Sequence, residues 1–180
     1  MRTIPGKLGM GAAVLALQVI VPSLAQAELR RVDLKIFGMD CATCAHGVRV
    51  AVRKLEGVES VEVSLERASA AINLRPGNRI TLSQLRQIIK NNGFAAKEAT
   101  VTIVGLLTER GGKPALSVTG IDIVWLIAPR AANDAAYADA MQRVKAHETG
   151  SVEAVGTVAA PANPDQPEEF TLQSLKAAPK

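Results

Sequence analysis

The sequence is poor in several residue types that binding and catalytic sites are commonly built from. Aromatic residues make up 3% of 180 positions, against 48% hydrophobic residues overall, so any core is aliphatic. The stacking aromatics and basic groove of a single-stranded nucleic-acid binder are missing. Only two histidines occur, and no Ser/His/Asp arrangement or phosphate-cradling glycine loop accompanies them. Most enzyme classes therefore have no residues to stand on. Charge of one sign is also lacking: the formal net charge is +4, and two of those positive charges, Arg2 and Lys7, fall within the first 27 residues, where there is no acid. The near-neutral remainder carries no polyanion-binding signature. The apolar run from Leu8 to Val21 is 14 residues long and includes Gln18. At 1.5 Å per residue that is short for a hydrocarbon core of about 30 Å.

What is present begins with a leader. Arg2 and Lys7 form a positive start, Leu8 to Val21 an apolar centre, and Ala25-Gln26-Ala27 an A-x-A cleavage site. This pattern predicts a secretory signal peptide over residues 1–27 and a mature chain starting at Glu28. No cysteine follows the leader, which argues against a lipoprotein. The expected address is the bacterial periplasm, without stable membrane insertion and away from nucleic acid.

From Arg31 to Phe37 the chain alternates, with Val32, Leu34 and Ile36 on one side and Arg31, Asp33 and Lys35 on the other, as in a half-buried strand. Val48, Ala51, Val52 and Leu55 recur at helical spacing, and Gly57 is expected to stop that helix. Val61, Val63 and Leu65 alternate again. Glu66-Arg67 turn the chain, and Ala68, Ala70, Ile72 and Leu74 return as the second arm of a hairpin. Thr81 with Gln84 predicts a capping box, Ile80 with Leu85 a hydrophobic staple, and Leu82, Leu85, Ile88 and Ile89 a buried stripe. A further strand starts after Phe94. The resulting order βαββαβ puts two helices on one face of an antiparallel sheet.

Both cysteines lie in Gly38-Met39-Asp40-Cys41-Ala42-Thr43-Cys44, between the first strand and the first helix. Unpaired backbone N–H groups and the helix dipole favour thiolate there. Two neighbouring thiolates are either a soft pair of metal ligands or a dithiol ready to close. Gly-Met-x-Cys-x-x-Cys in this setting resembles the heavy-metal-associated domain family, over Leu29 to Thr100. The resemblance implies a ferredoxin-like βαββαβ fold with Cys41 and Cys44 as metal ligands. It also implies passage of the ion to a partner with a similar site, such as a metal-transporting or envelope protein. A thioredoxin-like enzyme is the rival for this motif. The aromatic residue before the motif and the Pro between the cysteines are missing, however, and the element order is wrong for that fold. The periplasm is oxidising, so a free pair is open to closure unless metal or a reductase protects it.

Asp40 departs from the Thr that many copper-handling relatives carry, and looks like the residue found in zinc, cadmium and lead exporters. A carboxylate adds a harder oxygen ligand suited to a divalent ion wanting three or four ligands, whereas Cu(I) or Hg(II) needs only the thiolates. The competing role for Asp40 is to cap the helix that follows. The cargo is therefore a heavy metal ion: Cu(I) or Hg(II) by the broader family, Zn(II), Cd(II) or Pb(II) by Asp40. The resemblance implies that Met39 is a core anchor for the loop rather than a thioether ligand. His46 lies two residues past Cys44, facing another side of the helix. Phe94 stands where relatives carry Tyr or Lys, and either shields the thiolates or packs in the core.

After Thr100 the pattern changes to short strands: Val101 to Leu107, a hairpin at Arg110-Gly111-Gly112-Lys113, Ala115 to Val118, and Ile121 to Ile127. A helix over Ala131 to Ala146, a strand Val152 to Val158 interrupted at Gly156, a Pro-rich loop from Pro161 to Pro167, and a strand Phe170 to Leu175 follow. Five strands with a helix between the third and fourth resemble an OB-fold barrel. Trp125 reads as core, Tyr137 lies on the helix stripe with Met141 and Val144, and the barrel reads as a structural or protein-docking unit.

The fold class is thus α+β: a signal peptide at 1–27, a heavy-metal-associated domain at 28–100, an OB-like barrel at 101–176 and a tail at 177–180. With no linker between the halves, the last strand of the first is expected to run into the first strand of the second near Ala99 to Val101. The expected function is capture and transfer of a metal ion, without enzymatic activity. Thiol–disulfide exchange, or metal sensing by a module that docks through its barrel, are the alternatives.

Overall fold

The computed structural model describes residues 28–118, 123–132, 134–148, 150–161 and 169–178. The expected leader at 1–27, and most of the Pro-rich loop, lie outside the described residues.

Eight strands and three helices are found among the described residues. The first unit is β1 (Glu28–Phe37), α1 (Ala42–Arg53), β2 (Val58–Ser64), β3 (Ser69–Leu74), α2 (Leu82–Asn91) and the start of β4 (Ala95–Arg110). Its sheet runs β2-β3-β1-β4, antiparallel throughout, with Val32 against Ile72 on one side and Val101 on the other. Val32, Leu34 and Ile36 are buried, as the alternation requires, against Val48 and Val52 of α1 and Leu82, Leu85 and Ile89 of α2. The capping box at α2 is present in both halves: Gln84 N–H donates to the Thr81 hydroxyl, and Thr81 N–H to the Gln84 side chain.

Two boundaries in the first unit differ from the periodicity, and the helix expected from Ala131 starts at Ala135, after its Asp134 cap. Helix α1 ends at Arg53 with Lys54 as its C-cap, and Gly57 (φ +96°) lies in the turn that follows. The apolar repeat outlasts the helix because Leu55 still packs against the core from that turn. Ala68 belongs to the β2–β3 turn at φ +45°, where its carbonyl accepts the Ile36 N–H at 2.8 Å, and β3 starts one residue later.

Strand β4 is the hinge of the architecture. Its edge facing β1 is paired from Ala95 to Val104, and β5 (Lys113–Val118) takes over that edge from Leu106 to Arg110. On its opposite edge β7 (Ser151–Val158) pairs from Ala99 to Leu106. β5 continues to β6 (Ile123–Ala128), β6 pairs in parallel with β8 (Glu169–Ala177), β8 pairs with β7, and β7 returns to β4. Five strands therefore close on themselves as a small barrel, with α3 (Ala135–Lys145) connecting β6 and β7. Gly111 and Gly112, both at positive φ, make the two-residue β4–β5 turn, a conformation costly for other residues.

Trp125 and Phe170 stack inside the barrel with ring centroids 5.8 Å apart. The barrel interior and the helix-covered face of the sheet form one buried cluster, as expected when both sides share a strand. Arg86 on α2 also donates to the carbonyls of Val158 and Ala159, at 3.1 and 2.9 Å, tying that helix to the end of β7. No helix among the described residues is long and apolar enough to cross a membrane.

Candidate metal centre

The site sits where β1 gives way to α1. β1 delivers an exposed Phe37, and Gly38 then adopts φ +89°, a turn a side chain would resist. Met39 folds inward and is buried, anchoring the loop from below as its apolar side chain suggests. Asp40 is exposed, and Cys41 and Cys44 are half-buried.

Cys41 is the N-cap of α1, with extended backbone (φ −129°, ψ 151°). Its Sγ accepts the Cys44 backbone N–H at 3.1 Å, and its carbonyl accepts that of Ala45 at 3.0 Å. Asp40 stands before the cap and does not fill it, so the capping role weighed for that carboxylate falls to a cysteine sulfur. The Thr43 hydroxyl lies 3.1 Å from Cys41 Sγ. Cys44 packs against the buried cluster from the first turn of the helix.

The two sulfurs are joined as a disulfide. A closed pair has no thiolate to offer, so this structure shows the oxidised form of the motif. The same atoms remain grouped as a ligand set: one carboxylate oxygen of Asp40 and the sulfurs of Cys41 and Cys44 all lie within 4.8 Å of one another. That is a mixed O/S donor set on a solvent-facing loop. Among the described residues no other group of three or more His, Cys, Asp or Glu side chains comes together in this way. His46 is exposed and stands outside it. Phe94 is half-buried against the core, and a Cβ on Gly38 would come within 3.9 Å of its ring. An apolar side chain thus backs the loop where a hydroxyl or amine would have brought polarity.

Thr43 stands outside the residues that their side-chain chemistry singles out. Its signal was its position between the two cysteines, but only the helix geometry brings its hydroxyl back to the first sulfur.

The heavy-metal-associated domain model matches residues 33–95, the segment from β1 to the start of β4. The copper chaperone CopZ of Staphylococcus saprophyticus is 30% identical over 64 residues, which is 36% of this chain and 93% of that protein. The chain belongs to the heavy-metal-associated domain family. The mercuric reductase of Shewanella putrefaciens is 41% identical over 69 residues, and human copper-transporting ATPase 2 is 36% identical over 63 residues. The chain spans only 12% and 4% of those two longer proteins, respectively. Among solved structures, a CopZ metallochaperone aligns over 37% of this chain and 97% of its own, at 26% identity and a TM-score of 0.35. Oxidised MerP from Ralstonia metallidurans aligns over 38% and 94%, at 26% identity and a TM-score of 0.35. The heavy-metal-associated domain thus accounts for the front of the described chain, and the barrel is appended to it through β4.

Proposed function

We propose that this protein captures a soft or borderline metal ion through the reduced thiolates of Cys41 and Cys44 and passes it to a partner by thiolate exchange. The grouping of the Asp40 carboxylate with both sulfurs inside 4.8 Å carries the reading. A thiolate from a partner can invade an exposed, under-coordinated ion without releasing it to water. In this reading Asp40 is a third ligand for Zn(II), Cd(II) or Pb(II), while Cu(I) or Hg(II) is held by the sulfurs alone. The relatives named for copper and mercury support the second pair of ions, and the carboxylate supports the first group. The partner is a metal-transporting or envelope protein with a similar dithiol site.

A periplasmic setting is part of the proposal, supported by the leader expected at residues 1–27. The barrel, read as OB-like from its strand order and the helix between its third and fourth strands, is proposed to dock an envelope protein. The deciding experiment is anaerobic metal competition on the reduced protein across Cu(I), Zn(II) and Hg(II). Absence of binding by all three would overturn the proposal.

Thiol–disulfide exchange is kept as a second reading because the pair is found closed. Turnover of a disulfide substrate by a protein with no metal affinity would favour it.

A further inference from the structure

We infer that Thr43 is a positioning residue that sets the balance between the closed pair and the open, metal-competent pair. The inference rests on the metal-capture reading and adds to it a redox gate whose set-point lies in one hydroxyl.

In the closed form Cys41 Sγ carries no proton, so the Thr43 Oγ1 at 3.1 Å is the donor in that contact. The Cys44 N–H is a second donor to the same sulfur, also at 3.1 Å. Among the described residues Cys44 Sγ has no such pair of donors; its side chain packs against the apolar cluster instead. When the disulfide is reduced, negative charge on Cys41 meets two donors already in place. Hydrogen bonds to a charged group are stronger than those to a neutral one, so both donors favour the reduced form over the closed one. Stabilising the reduced form of a dithiol makes its disulfide easier to reduce. The backbone donor comes with any helix that starts here. The hydroxyl is a choice of side chain.

Opening requires two electrons, from one dithiol or from two monothiols such as glutathione; with a dithiol donor the steps are as follows. Its thiolate attacks Cys41 Sγ, the sulfur at the helix cap, forming a mixed disulfide while Cys44 departs as thiolate and takes up a proton. The donor's second thiolate then attacks the donor's own sulfur in that bond. Cys41 leaves as a thiolate received by Thr43 and the Cys44 N–H. The donor ends as a disulfide and the protein as a dithiol, which a metal ion can then bridge. Reduction by thiol–disulfide exchange is thus the class of reaction that must precede metal capture from this closed state.

The test equilibrates the full mature chain with reduced and oxidised glutathione at fixed pH and quantifies free thiols by alkylation and mass. Thr43→Val, which keeps the shape and removes the hydroxyl, should lower the equilibrium constant for reduction by about tenfold, about 30 mV for a two-electron couple. Thr43→Ser should restore the wild-type value. An unchanged constant in Thr43→Val, or an equal shift in both variants, overturns the assignment. In parallel, oxidised and reduced wild type are titrated with Zn(II) against a chromophoric chelator. Uptake by the reduced form alone supports the gate, whereas equal uptake by the oxidised form overturns it. If the reduced wild type takes no Zn(II), Cu(I) or Hg(II), the metal-capture reading itself fails, a result separate from the Thr43 constants.

Discussion

The backbone N–H of Cys44 donates to Sγ of Cys41 across 3.1 Å, so the first sulfur of the pair is also the cap of the helix that carries the second. One atom therefore serves two ends. It satisfies an otherwise orphaned donor in the first turn of α1, and it is held beside its partner sulfur by the same bond.

Substitutions at Cys41 should separate those two roles. Serine keeps an oxygen at the cap, so Cys41→Ser is expected to fold with little loss, while Cys41→Ala gives up about 1 kcal/mol of cap energy. Comparison is made on reduced wild type, so that the disulfide does not contribute. Metal uptake should be abolished in both variants and in Cys44→Ser. Denaturant unfolding and metal competition on the same preparations check this; uptake surviving in the double serine variant would contradict the site.

Asp40 is exposed and leaves the cap to its neighbour, so removing its carboxylate should cost little stability, within about 0.5 kcal/mol. Binding should respond by metal. Asp40→Ala and Asp40→Thr are expected to weaken Zn(II) by on the order of tenfold and to leave Hg(II) and Cu(I) nearly unchanged, because only a borderline divalent ion uses the oxygen. Equal losses for all three ions would show that the carboxylate acts on the loop and not on the metal.

Gly156 tests the barrel. A Cβ there would lie 2.5 Å from Phe170 Cζ and 2.5 Å from the Thr171 carbonyl oxygen, and the β7–β8 register shifts between Val155 and Gly156. Phe170 is fully buried and stacked on Trp125, so it has nowhere to go. Gly156→Ala should destabilise the protein by about 3 kcal/mol, read from the unfolding midpoint, with a change in Trp125 fluorescence.

Asp134 links stability to pH. It caps α3 through the N–H groups of Ala136 and Tyr137 and also accepts from the backbone and guanidinium of Arg130. The Arg130 backbone N–H first, and its side chain next, hold the carboxyl down from 3.8 to about 2. A folded value below the unfolded one means the contribution is complete above pH of about 4 and drains away as pH falls towards 2. Asp134→Asn should cost about 1 kcal/mol at neutral pH and flatten that part of the acid-unfolding curve. Parallel curves for the two proteins would exclude the assignment.

Much of the fold was legible because its signals are local. Alternation at Val32, Leu34 and Ile36, the Thr81–Gln84 box and the Gly111-Gly112 turn each depend on residues a few positions apart, and each is found where the pattern puts it. Gly156 was also readable as a strand interruption, and the shift in register falls there. The end of α1 was misplaced because Leu55 packs from a turn, and side-chain burial alone does not distinguish a turn from another helical residue.

The sequence by itself determined the chemistry available: two sulfurs three positions apart, a carboxylate beside them and an apolar anchor in Met39, all fixed by covalent order. It also determined the alternation that assembles a sheet under two helices. Only the tertiary structure decided what each group does with that chemistry. Which atom caps α1 and which hydroxyl reaches Cys41 depend on backbone direction, and how β4 divides its edges among β1, β5 and β7 depends on partners distant in the chain. Those are properties of packed three-dimensional neighbours, and residue spacing along one strand of sequence does not contain them.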